Sequence, residues 1–228
     1  PTVGYSLDDV TNLELRPDGS SFRWRDTDIT IHLPGRFNVS NAIAAATAAA
    51  EVGIDNDTIA AGLAALPGVP GRFERIDEGQ RFLAAVDYAH TPDGLEQLLT
   101  AGRELAGGGR LFLVFGAGGH RDPSKRPLMG EVAARLADVV VVTSDNPRDE
   151  DPDEIISQVQ SGIEDLTTDV RIDPDRAAAI ALAVAEARPG DVLLVAGKGH
   201  ETGQTTGDVT VPFDDRDVLR GLLEKVGS

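Results

Sequence analysis

Hydrophobic and polar positions follow one pattern before residues 67–71 (PGVPG) and another after them. Residues 29–33 alternate as Ile, Thr, Ile, His and Leu, which is typical of a half-buried strand. Residues 13–15 and 22–24 flank a turn sequence, RPDGS, which predicts a hairpin. We therefore predict short antiparallel strands at the start of the chain, followed by helices at about residues 39–52 and 57–66.

After residues 67–71 the pattern changes to apolar runs that alternate with helical segments. Continuous runs of Val and Leu joined by helices indicate a parallel sheet that is buried on both faces. The predicted fold class is therefore α/β, with a mostly parallel sheet and helices on both faces. The proline- and glycine-rich stretch indicates a domain boundary, with residues 1–68 on one side and 69–228 on the other. The predicted strands are 82–87, 110–115, 138–143, 169–172 and 191–196; the predicted helices are about 93–106, 125–137, 152–163 and 174–187, and a hairpin at 205–212 and a helix at 214–226 follow.

Composition excludes several classes of protein. The 38 acidic side chains outnumber the 21 Lys and Arg, and the resulting charge of −17 is spread along the whole chain. A nucleic-acid surface needs clustered basic residues, so we predict no nucleic-acid partner. The longest apolar run, residues 42–50, is too short and too rich in alanine to span a bilayer.

The absence of cysteine excludes a disulfide scaffold, a thiol nucleophile and a cysteine metal site, and it is consistent with a reducing compartment. The chain begins with Pro1 rather than Met, and we therefore expect it to be part of a longer protein.

Unusual residues follow four of the five predicted parallel strands. In open parallel sheets, ligands bind beyond the carboxyl ends of the strands, which lie at one edge. We therefore predict that these four segments form one functional site, and three of the four histidines lie in them. The segments are 87–92 (DYAHTP), 116–122 (GAGGHRD), 144–148 (SDNPR) and 197–201 (GKGHE). The remaining strand ends in Asp173-Pro174, an ordinary helix start.

Each segment also has an alternative interpretation. The glycines at 116–119 could form only a tight turn, and GAGGHR lacks the third glycine of a dinucleotide-binding fingerprint. Asp87 could cap the helix that begins near Pro92, and residues 144–146 could be turn and capping residues. Lys198 and His200 lie between glycines after a buried strand, which favours contact with an anion.

The histidines allow a further interpretation as a zinc site. His90, His120 and His200 could act as ligands with Glu201 nearby. No pair of them has the spacing that places two ligands on one turn of a helix. The sequence alone does not decide between this interpretation and an organic ligand.

Taken in order, the motifs resemble those of the Mur ligase family, most closely the branch that adds the third amino acid of the peptidoglycan stem peptide. The resemblance covers residues 35 to 201. The matching motifs are Gly35-x-Phe37-Asn38-x-x-Asn41, Gly71-Arg72-Phe73-Glu74, Asp87-Tyr88-Ala89-His90-Thr91-Pro92, the Gly-Gly-x-Arg-Asp loop ending at Asp122, Lys125-Arg126-Pro127, Asp145-Asn146-Pro147-Arg148 and Gly197-Lys198-Gly199-His200-Glu201.

This resemblance implies a cytoplasmic, three-domain enzyme that forms an amide bond at the expense of ATP. Residues 1–68 would be the end of its central ATP-binding domain, and residues 69–228 its C-terminal Rossmann-like domain. The implied substrates are UDP-N-acetylmuramoyl-L-alanyl-D-glutamate, meso-diaminopimelate and ATP, with Mg²⁺ as cofactor and no membrane partner. No metal ligand is assigned to this chain, because the family's Mg²⁺ ligands are expected in sequence that it does not contain.

The resemblance also assigns roles to individual residues. Asn41 would contact the adenine, Arg72 would flank the nucleotide, Asp87 would accept hydrogen bonds from ribose hydroxyls, and His90 would lie near the phosphates as the catalytic residue. The amino-acid pocket would contain Arg121, Asp145, Asn146, Arg148, Gly197 and Glu201. Charges of both signs suit a zwitterionic ligand, since arginine pairs with carboxylates and acidic side chains accept from ammonium groups.

Two departures from the family pattern affect this interpretation. His120 stands where the family usually has Asp, so the role of that position is open. The sequence also contains no Gly-x-x-Gly-Lys-Thr/Ser phosphate loop, and the carbamylated lysine of the central domain is missing. A stand-alone Rossmann-like module that binds an amino acid or nucleotide without catalysis therefore remains the alternative to a ligase.

Overall fold

The computed structural model describes residues 2–163 and 168–226. The chain divides into two units, Pro1–Val69 and Pro70–Ser228, and the division lies within the PGVPG stretch. The assignment of the first unit to the end of an ATP-binding domain stays a prediction.

The first unit contains a three-stranded antiparallel sheet and two helices, as the hydrophobic pattern predicted. A short 3-10 helix, Leu7–Asp9, precedes the strands. Helix α2 begins where expected, because the Asp55 side chain accepts a hydrogen bond from the Thr58 N–H. The elements are β1 (Val10–Arg16), β2 (Gly19–Trp24), β3 (Thr27–Ile31), α1 (Arg36–Glu51) and α2 (Asn56–Ala65).

One face of this small sheet packs against helices α1 and α2. In β3, Ile29 and Ile31 are buried while Asp28 and Thr30 are exposed, so the strand has the predicted alternation. The core of the unit is formed by a limited number of fully buried side chains, which are Phe22, Trp24, Ile29, Ile31, Val39, Ala42, Ile43, Ala46 and Ile59.

The second unit is built on a six-stranded sheet with the order β4-β5-β9-β6-β7-β8. All pairings from β5 to β8 are parallel, and only the short β4 is antiparallel. The α/β fold class and the five parallel strands are therefore confirmed. The strands are β4 (Glu74–Arg75), β5 (Leu83–Asp87), β6 (Leu111–Phe115), β7 (Val139–Val142), β8 (Asp169–Ile172) and β9 (Val192–Ala196); the separate hairpin is β10 (Gly203–Thr206) and β11 (Val209–Pro212).

Helices cover both faces of this sheet, so every residue of β6, β7 and β9 is buried. Phe112 and Leu193 pack with helices α6 and α7, whereas Leu111 and Leu194 lie against Gly102 of α3 on the other face. Because both faces are covered, these strands are continuous apolar runs rather than alternating ones. The helices are α3 (Pro92–Ala106), α4 (Lys125–Leu136), α5 (Pro152–Gln160), α6 (Arg176–Glu186) and α7 (Asp215–Val226).

Three helix starts differ from their predicted positions or caps, and the first is α1, which begins at Arg36 instead of about residue 39. Helix α3 is capped by Thr91, whose side chain accepts from the Gly94 N–H, so the interpretation of Asp87 as its cap is wrong. Helix α6 begins at Arg176 instead of residue 174, because the Asp175 side chain accepts from the N–H groups of Ala177 and Ala178.

Within the part of the chain that the structure describes, no helix has both the length and the apolar character needed to cross a membrane.

Helices α4 and α5 approach each other closely at a glycine, which generates a prediction about stability. A Cβ on Gly130 would lie far inside van der Waals distance of the Val159 carbonyl oxygen, whereas a Cβ on Gly221 of α7 would meet no atom within 4 Å. We expect Gly130→Ala to lower the free energy of unfolding by about 1–3 kcal/mol. Gly221→Ala should raise it by about 0.5–1 kcal/mol, because alanine is the better helix former.

Urea denaturation followed by circular dichroism measures both changes. The two variants make the same chemical change inside a helix, so equal stabilities would contradict the close packing of α4 against α5.

The two units are also expected to differ in resistance to proteolysis. The first has a small core and a three-stranded sheet with open edges, whereas the second has a sheet buried on both faces. Leu66 and Val69 are exposed in the stretch between the units. Thermolysin should therefore cut near these two residues or within the first unit before it cuts beyond residue 70. Mass spectrometry of the fragments identifies the sites, and equal resistance of the two units would rule out this difference in stability.

Candidate functional site

One pocket lies at the edge of the sheet where the four unusual segments end. Its volume is about 250 Å³, and residues from all four segments line it. The predicted convergence of these segments on one edge is therefore confirmed. The lining residues are Tyr88, His90, Gly116, Ala117, Gly118, Arg121, Asp122, Lys125, Arg126, Met129, Asp145, Asn146, Arg148, Gly197 and Glu201.

Backbone hydrogen bonds hold the segments side by side. The Gly197 N–H donates to the Asp87 carbonyl at 3.1 Å, which joins the segments after β9 and β5. The Gly119 N–H donates to the Asn146 carbonyl at 2.9 Å, which joins those after β6 and β7. A Cβ on Gly197 would lie 3.7 Å from the Gly116 carbonyl oxygen, so the segments after β9 and β6 are also in contact. The four segments therefore form a continuous surface rather than four independent loops.

The acidic side of the pocket is formed by Asp145, Asn146 and Glu201. Asn146 Nδ2 donates to Glu201 Oε2 at 2.8 Å, and the Thr205 N–H donates to Asn146 Oδ1 at 3.0 Å. These bonds fix the orientation of the amide. Burial raises the pKa of the Asp145 carboxyl, while the positive charges of Arg176 and Lys198 act to lower it.

Lys198 does not line the pocket, and the anion that it contacts in the structure is the Glu201 carboxylate of its own segment. Its side chain is fully buried, and its Nζ donates to the Gly203 carbonyl at 2.7 Å and to Asn146 Oδ1 at 3.2 Å. It also lies 3.3 Å from Glu201 Oε2. A buried ammonium needs acceptors on several sides, and the chain supplies all three. Lys198 therefore links Asn146 and Glu201 of the pocket to each other and to Gly203 of the hairpin.

The basic side of the pocket is formed by Arg121, which is exposed, and Arg148, which is half-buried. Arg148 Nη1 donates to the Gly119 carbonyl at 2.6 Å. The Arg148 backbone has a φ of 54°, and its N–H and C=O bond to Thr205 and Gly207 of the hairpin. The hairpin thus holds Arg148 in a backbone conformation that non-glycine residues seldom adopt.

Glu150 holds the adjacent segment in place and explains the position of His120. Its two carboxylate oxygens accept from the His120 N–H at 2.6 Å and from Arg126 Nη1 at 2.7 Å. The hydrogen bond with Arg126 is the main reason that the pKa of Glu150 falls to about 2. His120 has a φ of 53° and an exposed side chain. His and Asp both tolerate that conformation better than most residues, so the position is constrained by its backbone.

The predicted nucleotide residues of the second unit lie around Tyr88. The Arg72 guanidinium is 4.9 Å from the Tyr88 ring centroid, and the His90 ring is 4.6 Å from it. Asp87 is buried, and its carboxylate oxygens accept from the N–H groups of Phe73 and Ala89, each at 2.7 Å. Burial raises the pKa of Asp87, and these two bonds act in the opposite direction.

The structure thus brings seven predicted residues into one pocket and places the others elsewhere. Arg72 and Asp87 do not line the pocket, and Asn41 occupies an exposed position on α1 of the first unit. The roles of all these residues stay predictions. The seven lining residues are His90, Arg121, Asp145, Asn146, Arg148, Gly197 and Glu201.

The zinc interpretation is not supported by the geometry. Across residues 2–163 and 168–226, no three His, Cys, Asp or Glu side chains are grouped as a metal site. His200 packs instead against Tyr88, with ring centroids 5.5 Å apart.

Two buried arginines support the pocket although neither was assigned a role from the sequence, where Arg126 appeared only as part of the Lys125-Arg126-Pro127 motif. Arg126 contacts the Gly118 carbonyl at 3.1 Å, and Arg176 contacts the carbonyls of Ser144 and Ala196. Both lie in the first turn of a helix, where a positive charge is unfavourable because of the helix dipole. An arginine in the first turn of a helix needs a compensating partner. Its unfavourable position is therefore the signal in the sequence that could have identified both arginines.

Comparison with known proteins identifies the family. Residues 71–199 match the family model described as "Mur ligase, glutamate ligase domain". Two similar curated proteins are both named UDP-N-acetylmuramoyl-L-alanyl-D-glutamate--2,6-diaminopimelate ligase. The protein from Geobacillus kaustophilus is 52% identical over 100% of this chain and 48% of its own length. The protein from Streptomyces coelicolor is 46% identical over 99% of this chain and 47% of its own length.

Solved structures show the same fold. A structure with that same ligase name has a TM-score of 0.70 and 36% identity, covering 96% of this chain and 45% of its own. A folylpolyglutamate synthase from Mycobacterium tuberculosis, solved with ADP and AMPPCP, has a TM-score of 0.63 at 22% identity over 96% of this chain and 47% of its own. The chain spans about half the length of the curated relatives it matches. With the glutamate ligase domain covering more than half of its residues, this chain belongs to the Mur ligase family.

Proposed function

We propose that this chain is the C-terminal part of an ATP-dependent ligase of peptidoglycan precursor synthesis, acting in the cytoplasm. The proposed reaction joins meso-diaminopimelate to UDP-N-acetylmuramoyl-L-alanyl-D-glutamate. The observation that carries the proposal is that one pocket is lined by all six residues predicted to bind the amino acid. The names of the relatives at 46% and 52% identity supply the substrate class.

The pocket has the charges that a ligand with two zwitterionic ends requires. Asp145 and Glu201 would accept hydrogen bonds from an ammonium group, and Arg148 would pair with a carboxylate. Meso-diaminopimelate carries a carboxylate at each end, whereas L-lysine lacks the distal one. We therefore assign recognition of the distal carboxylate to Arg148, whose loop is stiffened by Pro147 and the contact with Gly119.

The surface around Tyr88 would contribute to the nucleotide site. Arg72 lies over the Tyr88 ring, and His90 joins this surface to the pocket. Asp87 would hold ribose hydroxyls, since each carboxylate oxygen can accept more than the one backbone bond it has. We propose Asn41 as the adenine contact on the residue pattern alone.

The task of this chain in the proposed reaction is to position the attacking amine. ATP, when bound, would supply the phosphoryl group that converts the substrate carboxylate to an acyl phosphate with release of ADP, and phosphate would leave when the amine attacks. Asp145 and Glu201 would orient the amino-acid ligand, and His90 would lie on the phosphate side of the pocket. Holding the amine close to the activated carbon lowers the barrier through orientation. We assign no Mg²⁺ ligand to this chain, because the described residues contain no matching cluster.

We expect Arg148→Ala to reduce the preference for meso-diaminopimelate over L-lysine in the full-length ligase. A lost charge-assisted hydrogen bond costs about 1.5–3 kcal/mol. Since each 1.4 kcal/mol is about tenfold, kcat/KM for meso-diaminopimelate should fall roughly ten- to a hundredfold, with little change for lysine. Steady-state kinetics with both amino acids measures the effect.

Arg135→Ala provides the matched control, because Arg135 is a half-exposed arginine of α4 that pairs with Glu96. This variant should behave as wild type. An unchanged preference in Arg148→Ala would show that Arg148 is not the selective residue.

We also expect the 228-residue chain alone to form no amide bond and to bind ATP weakly, with little dependence on Mg²⁺. The reason is that its sequence contains no phosphate loop. Calorimetry with and without Mg²⁺ and a phosphate-release assay test this expectation. Micromolar, Mg²⁺-dependent binding or measurable turnover would contradict it. Binding of an amino acid without turnover by the full-length protein would favour the alternative, a binding module without catalysis.

A further inference from the structure

Beneath the pocket, Arg176 forms a fully buried ion pair with Asp215. Its Nε and Nη2 each lie 2.7 Å from a different carboxylate oxygen, and both side chains have no solvent exposure. Arg176 is the first residue of α6, and Asp215 is the first residue of α7. The pair therefore joins the starts of the two helices that cover one face of the sheet.

The same guanidinium also binds two backbone carbonyls at the pocket. Arg176 Nη2 donates to the Ala196 carbonyl at 2.9 Å, and Nη1 donates to the Ser144 carbonyl at 3.2 Å. Ala196 is the last residue of β9 and precedes Gly197, while Ser144 precedes Asp145. Arg176 thus bonds to the residue directly before Asp145 and to the residue directly before Gly197, where the two segments that carry the acidic side of the pocket begin.

The segments that begin at Asp145 and Gly197 are packed tightly against each other. A Cβ on Gly197 would lie 2.8 Å from Asp145 Oδ2, so the Asp145 carboxylate rests against the Gly197 backbone. Gly197 has a φ of 114°, which disfavours any other residue there. A small shift of either segment would change where the Asp145 carboxylate points.

Stability alone is a weak explanation for this ion pair. A buried pair costs solvation energy, and replacing one with apolar side chains of similar size is often neutral or stabilising. The guanidinium, moreover, also lies at a helix N-terminus, where its charge opposes the helix dipole. An arginine at this position is better explained by a structural role beyond the ion pair, and its hydrogen bonds to the Ser144 and Ala196 carbonyls provide such a role.

We propose that Arg176 is a positioning residue of the amino-acid pocket. It fixes the carboxyl ends of β7 and β9 relative to each other, and through them the Asp145 carboxylate that receives the ligand's ammonium group. The identity of that ligand rests on the proposed function, whereas the positioning of Asp145 does not. Asp215 holds the guanidinium in the plane needed to reach both carbonyls.

The charge of Arg176 adds an effect on Asp145 that can be measured separately. Arg176 of α6 and Lys198 of the segment after β9 favour the ionised carboxylate, while burial and Glu201 of that same segment oppose it. Asp145 also accepts a hydrogen bond from the Asn146 N–H at 2.7 Å. Removing Arg176 should therefore raise the pKa of Asp145, so that the carboxylate becomes protonated at a higher pH.

The test compares wild type with the double variant Arg176→Met/Asp215→Leu, which removes the charges together and leaves neither unpaired. Amide hydrogen exchange is measured by NMR on the ligand-free chain. Exchange at Asn146 and Gly197 should become about tenfold faster or more, relative to the amides at the centre of β6. The ¹³Cγ resonance of Asp145, followed against pH, should titrate at a higher pH than in wild type.

The control is Arg110→Met/Asp191→Asn, which removes an ion pair of 2.7 Å at the opposite edge of the sheet. It should change overall stability without changing the titration of Asp145 or the relative exchange at Asn146 and Gly197. Acceleration throughout the sheet in the Arg176 double variant, with Asp145 titrating as in wild type, would overturn the proposal. So would unchanged exchange at both amides.

If the double variant does not fold, Arg176→Lys tests the same proposal. It keeps the charge but has a single ammonium group in place of the planar fork. We expect faster exchange at Asn146 and Gly197 with a smaller shift in the Asp145 titration, and wild-type exchange would refute the proposal.

Calorimetry with meso-diaminopimelate is run in parallel. Absence of binding by the wild type would count against the proposed function alone, because exchange and titration need no ligand.

Discussion

The pocket depends on the placement of β9 between β5 and β6. This arrangement puts the last strand of the parallel sheet at its centre, so the segment after β9 lies between those that follow β5 and β6. Parallel strands all end at the same edge, and both faces are covered by helices. Polar side chains carried by these segments have only that edge at which to meet. The pocket thus follows from the order of the strands.

Buried positive charges then give this edge its shape. Arg126, Arg176 and Lys198 are all nearly or fully buried. The two arginines donate to backbone carbonyls of the segments that form the pocket, and Lys198 donates to the Gly203 carbonyl of the hairpin. A buried cation is stable only when acceptors surround it, so each cation restricts the backbone that supplies them. Glu150 and Asp215, which pair with the two arginines, belong to other elements, whereas Glu201 lies in the same segment as Lys198. The pocket is therefore supported by a layer of ion pairs beneath the residues proposed to bind the ligand.

Short-range features of the sequence predicted much of the site. Glycine, histidine and arginine after apolar strands identified the four segments, because each segment is contiguous in sequence. The roles of individual residues were harder to predict from the sequence. Lys198 was expected to contact an anion, and in the structure it is buried and contacts the Glu201 carboxylate and the Gly203 carbonyl. Asp87 was considered as a helix cap, but its carboxylate accepts from the N–H groups of Phe73 and Ala89. A residue's type gives its chemistry, but the direction of its side chain depends on what surrounds it.

The α/β class, the five parallel strands and the edge at which the pocket lies could all be predicted from local patterns along the chain. Hydrophobic periodicity reports burial on one or both faces, and burial is a local property of each element. The order of the strands and the pairing of Arg176 with Asp215 became known from the three-dimensional fold, because these two residues lie on different helices far apart in the sequence. Such pairings leave no periodic signal, because they depend on where two distant helices begin after the whole sheet has formed.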